Sequence, residues 1–579
     1  MKILGVHDGH TATAAISIDG EIKTAISEER INRIKEWQGF PAKVIKKSLE
    51  ITNISPAEID LVVIASKIQQ ATREQFIGEK FSLNVYGMGI AKAILPKSTI
   101  ASNLWVPYAV SLSSAFRKKK EIYNFFHELG IPRNKIIFAD HHLCHAYSTL
   151  SNEWGISDDA LILTVDGAGD GYYASVNVLE KGRIKVLERT SLYNSLGFLY
   201  SFATKFLNMK PLSHEYKVMG LAAYAKEEHY NEIYKKLLEE YISIDKSNPL
   251  RFKNLSGKLT KDYMAKLKKD FSGTRFDNFA GGLQKLTEEL LIKYVKNAMK
   301  AADKKIVFCA GGVFMNVKAN MRIMYETDVK KLFIFPSCAD ESNSIGACNF
   351  GYGLLCLRKN EVPKFKKLRN IYLGEEYSNE KIKHELGNSK EKLKYTFQKD
   401  IDSYVARRLA KGDIIARFSG RMEFGARALG NRSILANPSN KDAVREINEA
   451  IKMRDFWMPF AGTILAEDQH KYLQNPKKFS APYMILCFKT TPLAKTEILS
   501  ALHQYDLTCR PQILEKAHNP SYHALIKKFK SITGIGALLN TSFNIHGDPL
   551  VDSPRDAIET LLKSGLKYLA LGNYFVEKK

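Results

Sequence analysis

The feature that most restricts how this chain can fold is an apolar run at residues 136–139, Ile-Ile-Phe-Ala, that ends abruptly in Asp140-His141-His142-Leu143-Cys144-His145-Ala146-Tyr147. Its β-branched and aromatic residues make the run a buried strand, and Asp140 is a good N-cap for a small-residue helix reaching residue 150. On that helix His141 and His145 stand four residues apart and share a face, where two neutral imidazoles can hold one divalent metal. His142 points elsewhere. Histidines at a helix start also serve as caps or core hydrogen-bonders. A metal site therefore needs a carboxylate from another part of the chain.

Length and composition bound what such a site belongs to. A chain of 579 residues with 45% hydrophobic content accommodates about two to four domains with large cores. Seven scattered cysteines with no CxxC pair point to a reducing compartment rather than a disulfide or zinc-ribbon framework. Residues 1–8 turn polar too soon for a signal peptide, and no apolar run reaches membrane-spanning length, so a cytoplasmic location is expected. The net charge of +24 is spread along the chain, with clusters at 117–120 and 364–369. Such runs are usually solvated faces, so nucleic acid is the weaker explanation and an anionic substrate the better one.

In chain order, residues 2–6, 14–18 and 21–27 read as strands, with a polar loop at 7–13 and a two-residue hairpin turn at Asp19-Gly20. Residues 28–35 are densely charged, as a solvated edge would be, and an amphipathic helix runs to about Ile51. The strand, loop, strand theme returns at 160–165, Asp166-Gly167-Ala168-Gly169-Asp170-Gly171 and 172–179. Its glycines let backbone amides approach phosphate, and its aspartates can hold a nucleotide-bound metal or orient water. Two such modules suggest a duplicated α/β domain, although a glycine-rich hairpin without a ligand has the same pattern. A further buried strand at 306–310 ends in Gly311-Gly312 before Asn316, a corner where adenosine or its phosphates can pack. The strand at 331–336 turns into a small-residue helix past Asp340. Lying beyond the carboxyl end of a strand, Asp340 is the candidate third metal ligand, or else a plain helix cap.

After about residue 357 a basic, proline-containing segment (358–369) separates a second α/β region. There Arg421, Arg427 and Arg432 alternate with glycines and apolar residues. Each guanidinium is a planar fork that pairs with two phosphate oxygens at once. Downstream, Asn540 and Ser542 end an apolar strand with groups suited to nucleotide oxygens.

These segments resemble the O-carbamoyltransferases of the nodulation-protein and antibiotic-tailoring type, the NodU/CmcH family. The matching stretches are 9–15, 28–35, 140–146, 215–222, 311–316, 340–347 and the arginine block, so the resemblance covers essentially the whole chain. It implies an α/β fold: an actin-like ATPase domain of the TsaD type, internally duplicated, at 1–357, fused to a YrdC-like α/β domain at 370–579. It also implies that His141, His145 and Asp340 hold a divalent metal, typically Fe2+, and that His10 is the base for the acceptor hydroxyl. Thr11 stands where the family usually has aspartate, and Met458 where it often has arginine. Asp166, Gly167, Gly169, Lys217, Gly311, Gly312 and Asn316 would contact nucleotide or substrate in the first domain. In the second, Arg421 and Arg432 would be catalytic, with Arg427, Lys452, Arg454, Arg510, Asn540 and Ser542 binding carbamoyl phosphate and ATP with its Mg2+.

The implied chemistry has two steps: formation of carbamoyl-adenylate, then transfer to a hydroxyl of a sugar, glycan or natural product. Acceptor contacts are expected from 69–116, which carries no readable motif. A tRNA-modifying enzyme built from the same domains, and a non-enzymatic ATP-binding regulator, remain the alternatives. Oligomeric state, a homodimer included, stays open.

Overall fold

Strands Lys2–His7 (β1), Thr13–Ile18 (β2) and Glu21–Ser27 (β3) form an antiparallel meander. The β2–β3 turn places both Asp19 (φ 49°) and Gly20 (φ 76°) in the left-handed region, the hairpin geometry that matches strand twist. Leu61–Ile64 (β4) and Ile136–Phe138 (β5) then add in parallel, giving the order β3-β2-β1-β4-β5. The second sheet repeats this plan. Ala160–Gly169 (β6), Tyr172–Glu180 (β7) and Arg183–Ser191 (β8) are the meander, and after a short ribbon of Ile242–Ile244 (β9) and Phe252–Asn254 (β10) the strands Ile306–Ala310 (β11) and Lys331–Ile334 (β12) pair in parallel beside β6. The order β12-β11-β6-β7-β8 is the first sheet's order over again. The duplicated α/β organisation expected from the repeated strand, loop, strand pattern is present. In this computed structural model the described residues are 1–67, 114–156, 158–258, 260–389 and 392–579. The stretch expected to meet the acceptor lies, up to residue 113, outside them.

Two compact units divide the chain: Met1–Glu28 with Glu36–Leu368, and Glu29–Lys35 with Arg369–Lys579. Sequence order had placed residues 29–35 in the first domain as a solvated edge. They belong instead to the second unit, where Arg30 is 5% exposed and donates to the Gly425 carbonyl at 2.7 Å. Arg33 donates to the carbonyls of Leu550 at 2.7 Å and Pro549 at 3.0 Å. Charge alone made this segment look solvated, but main-chain carbonyls satisfy its guanidiniums, Arg30 in the interior and Arg33 half-buried.

The second unit is built on one mixed eight-stranded sheet: Leu393–Phe397 (β13), Ile415–Phe418 (β14), Arg432–Ala436 (β15), Ala461–Leu465 (β16), Gln512–Leu514 (β17), Ala537–Ser542 (β18), Tyr568–Leu571 (β19) and Tyr574–Lys578 (β20). Its order is β13-β20-β19-β14-β15-β18-β16-β17. A core that includes Phe418, Ile434, Leu539, Leu569 and Val576 packs on it. The arginine block is the long connection between antiparallel β14 and β15. Among the described residues no helix is long and apolar enough to cross a membrane.

Within the first unit, helix His141–Ser148 (α1) lies against helix Ser342–Arg358 (α2). Small residues allow the approach. A Cβ on Gly346 would stand 1.7 Å from the Cys144 carbonyl oxygen, and one on Gly5 of β1 would stand 2.0 Å from that of Ser344. Backbone cannot yield as a side chain tip can, so Gly346→Ala must push the two helices apart. It should lower stability by about 2–3 kcal/mol, the upper range for overpacking, read as a reduced midpoint in urea unfolding, and should reduce bound metal as well.

Candidate functional site

The parallel strands β5, β6 and β12 all end at one place. Asp140, directly after β5, caps α1 by accepting from the Leu143 N–H at 3.0 Å, and Arg189 donates to its other oxygen at 3.0 Å. Asp170 accepts from the His141 N–H at 2.8 Å. With two carboxylates fixing its first turn, α1 presents His141 and His145 with their Nε2 atoms 3.1 Å apart. Asp340, beyond β12, stands 3.5 Å from both. Asp166, in β6, stands 3.4 Å from His141.

All four side chains are buried, with candidate donor atoms within 4.8 Å of one another. Donors bonded at about 2.1 Å to one ion are about 3.0 Å apart in octahedral and about 3.4 Å apart in tetrahedral arrangement. The closest contacts, 3.1–3.5 Å, lie near those values and no pair exceeds 4.8 Å, so the residues fit a divalent cation. Electrostatics agree. Burial works against protonating His141, but its hydrogen bond to Asp166 and the charges of Asp340 and Asp166 outweigh it and raise its pKa to about 9. Burial and the neighbouring His141 hold His145 well below the ordinary histidine range. Burial opposes ionising Asp166, yet the adjacent histidines keep it ionised far below the usual carboxylate range. Two buried anions facing a single imidazolium suit a cation of higher charge.

The sequence reading assigned Asp166 and Gly169 to nucleotide. Asp166 faces the histidines, while its second oxygen accepts from the Gly312 N–H at 2.7 Å, linking the two glycine corners. Gly169 leaves room for a ring, since a Cβ there would meet His141 Cδ2 at 2.1 Å. Gly167 has open surroundings, its nearest neighbour for a Cβ being Phe198 at 4.0 Å. Gly311 adopts φ 101° against β6, where a Cβ would meet the Val165 carbonyl oxygen at 2.3 Å. Asn316 caps the following helix through Ala319 N–H at 3.1 Å and exchanges amide hydrogen bonds with Gln284 at 2.9 and 3.0 Å. Lys217 is buried on the helix Glu215–Ala222. His10 is half-buried in the loop after β1, and its carbonyl lies 3.1 Å from His7 Nε2, which itself stands 3.7 Å from Asp340. Thr11 donates to Glu341 at 3.3 Å; an aspartate at that position would face a carboxylate.

In the second unit the arginines divide into two groups. Arg421 donates to the carbonyls of Gly374 at 2.9 Å and Leu373 at 2.8 Å. Arg432 is fully buried over the Phe418 ring at 3.6 Å, donating to the carbonyls of Ser419, Gly420 and Asn431 at 3.0–3.2 Å. These two shape the loop. Arg427 and Arg454 instead act on Arg510: burial first, then the charges of Arg427 and Arg454, push the Arg510 guanidinium well below its ordinary range. Lys452 is buried, and its ammonium donates to Ser542 O at 2.5 Å and to Asn544 Oδ1 at 2.7 Å. It thereby holds the turn after β18. Ser542 Oγ donates to Asn544 Oδ1 at 2.6 Å, and Asn540 donates to Ala428 O at 3.2 Å.

The sequence reading missed Glu423. Buried completely, it accepts from the N–H groups of Leu429, Asn431 and Arg432 at 2.7–3.3 Å and so folds the arginine loop. Its only sequence signal is an acid among glycines and arginines. Ser342 and Asn343 beside the histidines, and His7 beside Asp340, were also missed, because isolated polar residues at strand and helix ends carry no periodicity.

Residues 2–349 match the family model described as carbamoyltransferase N-terminus, and residues 406–578 match carbamoyltransferase C-terminus. The chain belongs to the carbamoyltransferase family. This carbamoyltransferase is 30% identical to an uncharacterized protein of Methanocaldococcus jannaschii over 100% of both chains. It is 28% identical to nodulation protein NolNO of Sinorhizobium fredii over 99% of this chain and 79% of that one. A shorter match, 32% over 29% of this chain and 32% of the other, is to the 3'-hydroxymethylcephem-O-carbamoyltransferase of Amycolatopsis lactamdurans. The family membership makes it an enzyme that transfers carbamoyl groups.

One carboxyl group near the arginine loop of the carbamoyltransferase sets a pH dependence. Burial pushes Asp552 up to about 6 although Arg432 opposes the shift. Between the ordinary carboxylate range and pH 6 the native state therefore keeps a proton that the unfolded chain has released, so stability falls as pH rises through that window. The ceiling is on the order of 3 kcal/mol, at 1.36 kcal/mol per pKa unit. Asp552→Asn, which cannot ionise, should gain stability relative to wild type between pH 4.5 and 7, measured by parallel denaturant titrations.

Proposed function

We propose that the protein is an ATP-dependent O-carbamoyltransferase that moves the carbamoyl group of carbamoyl phosphate, through carbamoyl-adenylate, to a hydroxyl acceptor. The observation that carries the reading is the buried Arg510 guanidinium, depressed first by burial and then by the charges of Arg427 and Arg454, a state that a polyanion relieves. The repeated strand order supports an actin-like assignment for the transfer domain, 1–357. The activating domain, 370–579, is taken as YrdC-like from its resemblance.

In the activating domain, Arg427, Arg454 and Arg510 bind the phosphoryl oxygens of carbamoyl phosphate and ATP. Arg421, Arg432 and Glu423 hold the loop that aims Arg427, and Lys452 fixes the Ser542 turn against the nucleotide. Water is consumed, phosphate and pyrophosphate leave, and carbamoyl-adenylate forms. Guanidiniums that exclude water protect this labile anhydride.

In the transfer domain, His141, His145, Asp166 and Asp340 would hold a divalent metal, Fe2+ on the family resemblance. When bound, the metal polarises the carbamoyl oxygen and neutralises phosphate charge. The glycine corner at 167–169 brings main-chain N–H groups to the nucleotide, and the corner at 311–312, whose N–H groups are held by Asp166 and the Cys338 carbonyl, gives it a close backbone wall. His10 takes the proton from the acceptor hydroxyl as that oxygen attacks the carbamoyl carbon, and AMP departs. The acceptor is a hydroxyl of a sugar, glycan or natural product; the Amycolatopsis relative is named for a hydroxymethyl acceptor. Seven buried thiols suit a reducing, cytoplasmic setting.

Purified protein incubated with ATP and carbon-labelled carbamoyl phosphate should place label in carbamoyl-adenylate without any acceptor. Arg510→Ala should lower that formation by about 100-fold, as expected for a charged contact of about 3 kcal/mol, with metal content unchanged. His10→Ala should still form the adenylate and fail to pass it to an acceptor. Absence of labelled adenylate from metal-loaded, ATP-binding wild type would overturn the activation step.

A further inference from the structure

We infer that Asn343 is a further donor of the metal site, its side-chain oxygen completing the set formed by two histidines and two aspartates. The inference rests on the metal reading above. Asn343 is fully buried at the start of α2, and its backbone N–H donates to the Asp340 carbonyl at 3.0 Å, so it is anchored to the segment carrying Asp340. Its Nδ2 stands 3.2 Å from His145 Nε2, 3.5 Å from His141 Nε2 and 3.3 Å from His141 Nδ1. The contact to His145 Nε2 is about as short as that between the two histidines, 3.1 Å. One end of the carboxamide therefore already lies beside the two imidazoles, nearest to His145 Nε2.

The end that faces inward depends on the cation. An amide N–H can donate to His145 Nε2 only while that nitrogen keeps a free lone pair. A cation bound there takes the lone pair and repels the positive edge of the NH2 group. A half-turn about the Cβ–Cγ bond puts Oδ1 where Nδ2 now stands and requires no movement of the backbone. Asn343 Oδ1 is buried without a hydrogen-bond partner among the described residues, so the turn costs no existing hydrogen bond at the oxygen. A buried carbonyl oxygen lacking a donor is itself costly, and a cation supplies its missing partner. Ser342 assists from the other side: its Oγ lies 3.0 Å from His145 Nδ1, which leaves His145 Nε2 as the ligating nitrogen.

A fifth donor, neutral and oxygen-based, shifts the chemistry of the site. Two imidazoles and two carboxylates alone satisfy a four-coordinate ion such as zinc, whereas five protein donors favour six-coordinate ions of the iron and manganese type. Asn343 is thus the residue that selects against a closed tetrahedral site and keeps oxygen ligation open for substrate.

The test uses the full-length protein, metal-stripped and titrated with Mn2+ and separately with Co2+, in wild type, Asn343→Leu, Asn343→Asp and His145→Ala. Asn343→Leu should weaken Mn2+ binding by at least about 10-fold, in the range found for lost metal-site support, and should intensify the visible Co2+ bands as coordination moves toward tetrahedral. Asn343→Asp, which keeps the shape and adds charge, should bind Mn2+ more tightly than wild type. An Asn343→Leu protein with wild-type Mn2+ affinity and Co2+ spectrum, while His145→Ala loses both metals, would overturn the role of Asn343 and leave the metal site standing. Wild type that binds neither ion would overturn the metal reading and this inference together. Should Asn343→Leu fail to fold, Asn343→Asp decides alone: tighter Mn2+ binding supports the inference, and unchanged or weaker binding sinks it.

Discussion

Burying carboxylates and imidazoles together is the constraint on which the first unit depends. Asp166, Asp340, His141 and His145 lie within 4.8 Å of one another away from solvent. Ionised groups in such a place must be neutralised by partners or by a bound ion, because water is not there to do it. The surrounding architecture serves this end. Asp140 and Asp170 pin the start of α1, Gly169 makes space for the His141 ring, and Gly346 lets α2 lie directly on the backbone of α1. Ser342 and Asn343 reach the histidines only because that approach is so close.

The second unit manages like charges instead of opposite ones. Arg421 and Arg432 spend their donors on main-chain carbonyls, and Glu423 collects three N–H groups of the same loop. Beside that internal framework, Arg427 and Arg454 act through their charge on the buried Arg510. A rigid loop can hold repelling guanidiniums together at a cost met by the rest of the fold, and the reward is strong attraction for an anion. Lys452 belongs with the framework, since its ammonium is already held by Ser542 and Asn544. The first unit thus carries a metal-capable cluster and the second an arginine-rich loop, in a chain that belongs to the carbamoyltransferase family.

Much of this was legible from local patterns. The histidine pair four residues apart, the strand ending before Asp340 and the recurrence of strand, loop, strand all depend on near-neighbour periodicity, and the fold reproduces them. Long-range pairing was not legible in the same way. Asp166 has the sequence context of a phosphate loop, yet β6 ends beside α1 and aims it at His141. Residues 29–35 look like a solvated edge, yet the carbonyls of Gly425, Pro549 and Leu550 absorb their arginines. Glu423, Ser342 and Asn343 gave no signal, because a lone polar residue acquires a role only from what lies opposite it.

By itself the sequence determined the element types, the duplicated module, the histidine spacing for a metal and the arginine-rich loop, since each follows from the chemistry of residues close together in the chain. Only the tertiary structure decided which carboxylates complete the metal-capable cluster, which arginines spend their donors on main-chain carbonyls, and that Asn343 sits beside the two histidines. Those are facts about contacts between residues as many as 202 positions apart. Burial decides their meaning, because a polar group removed from water must find its partner within reach.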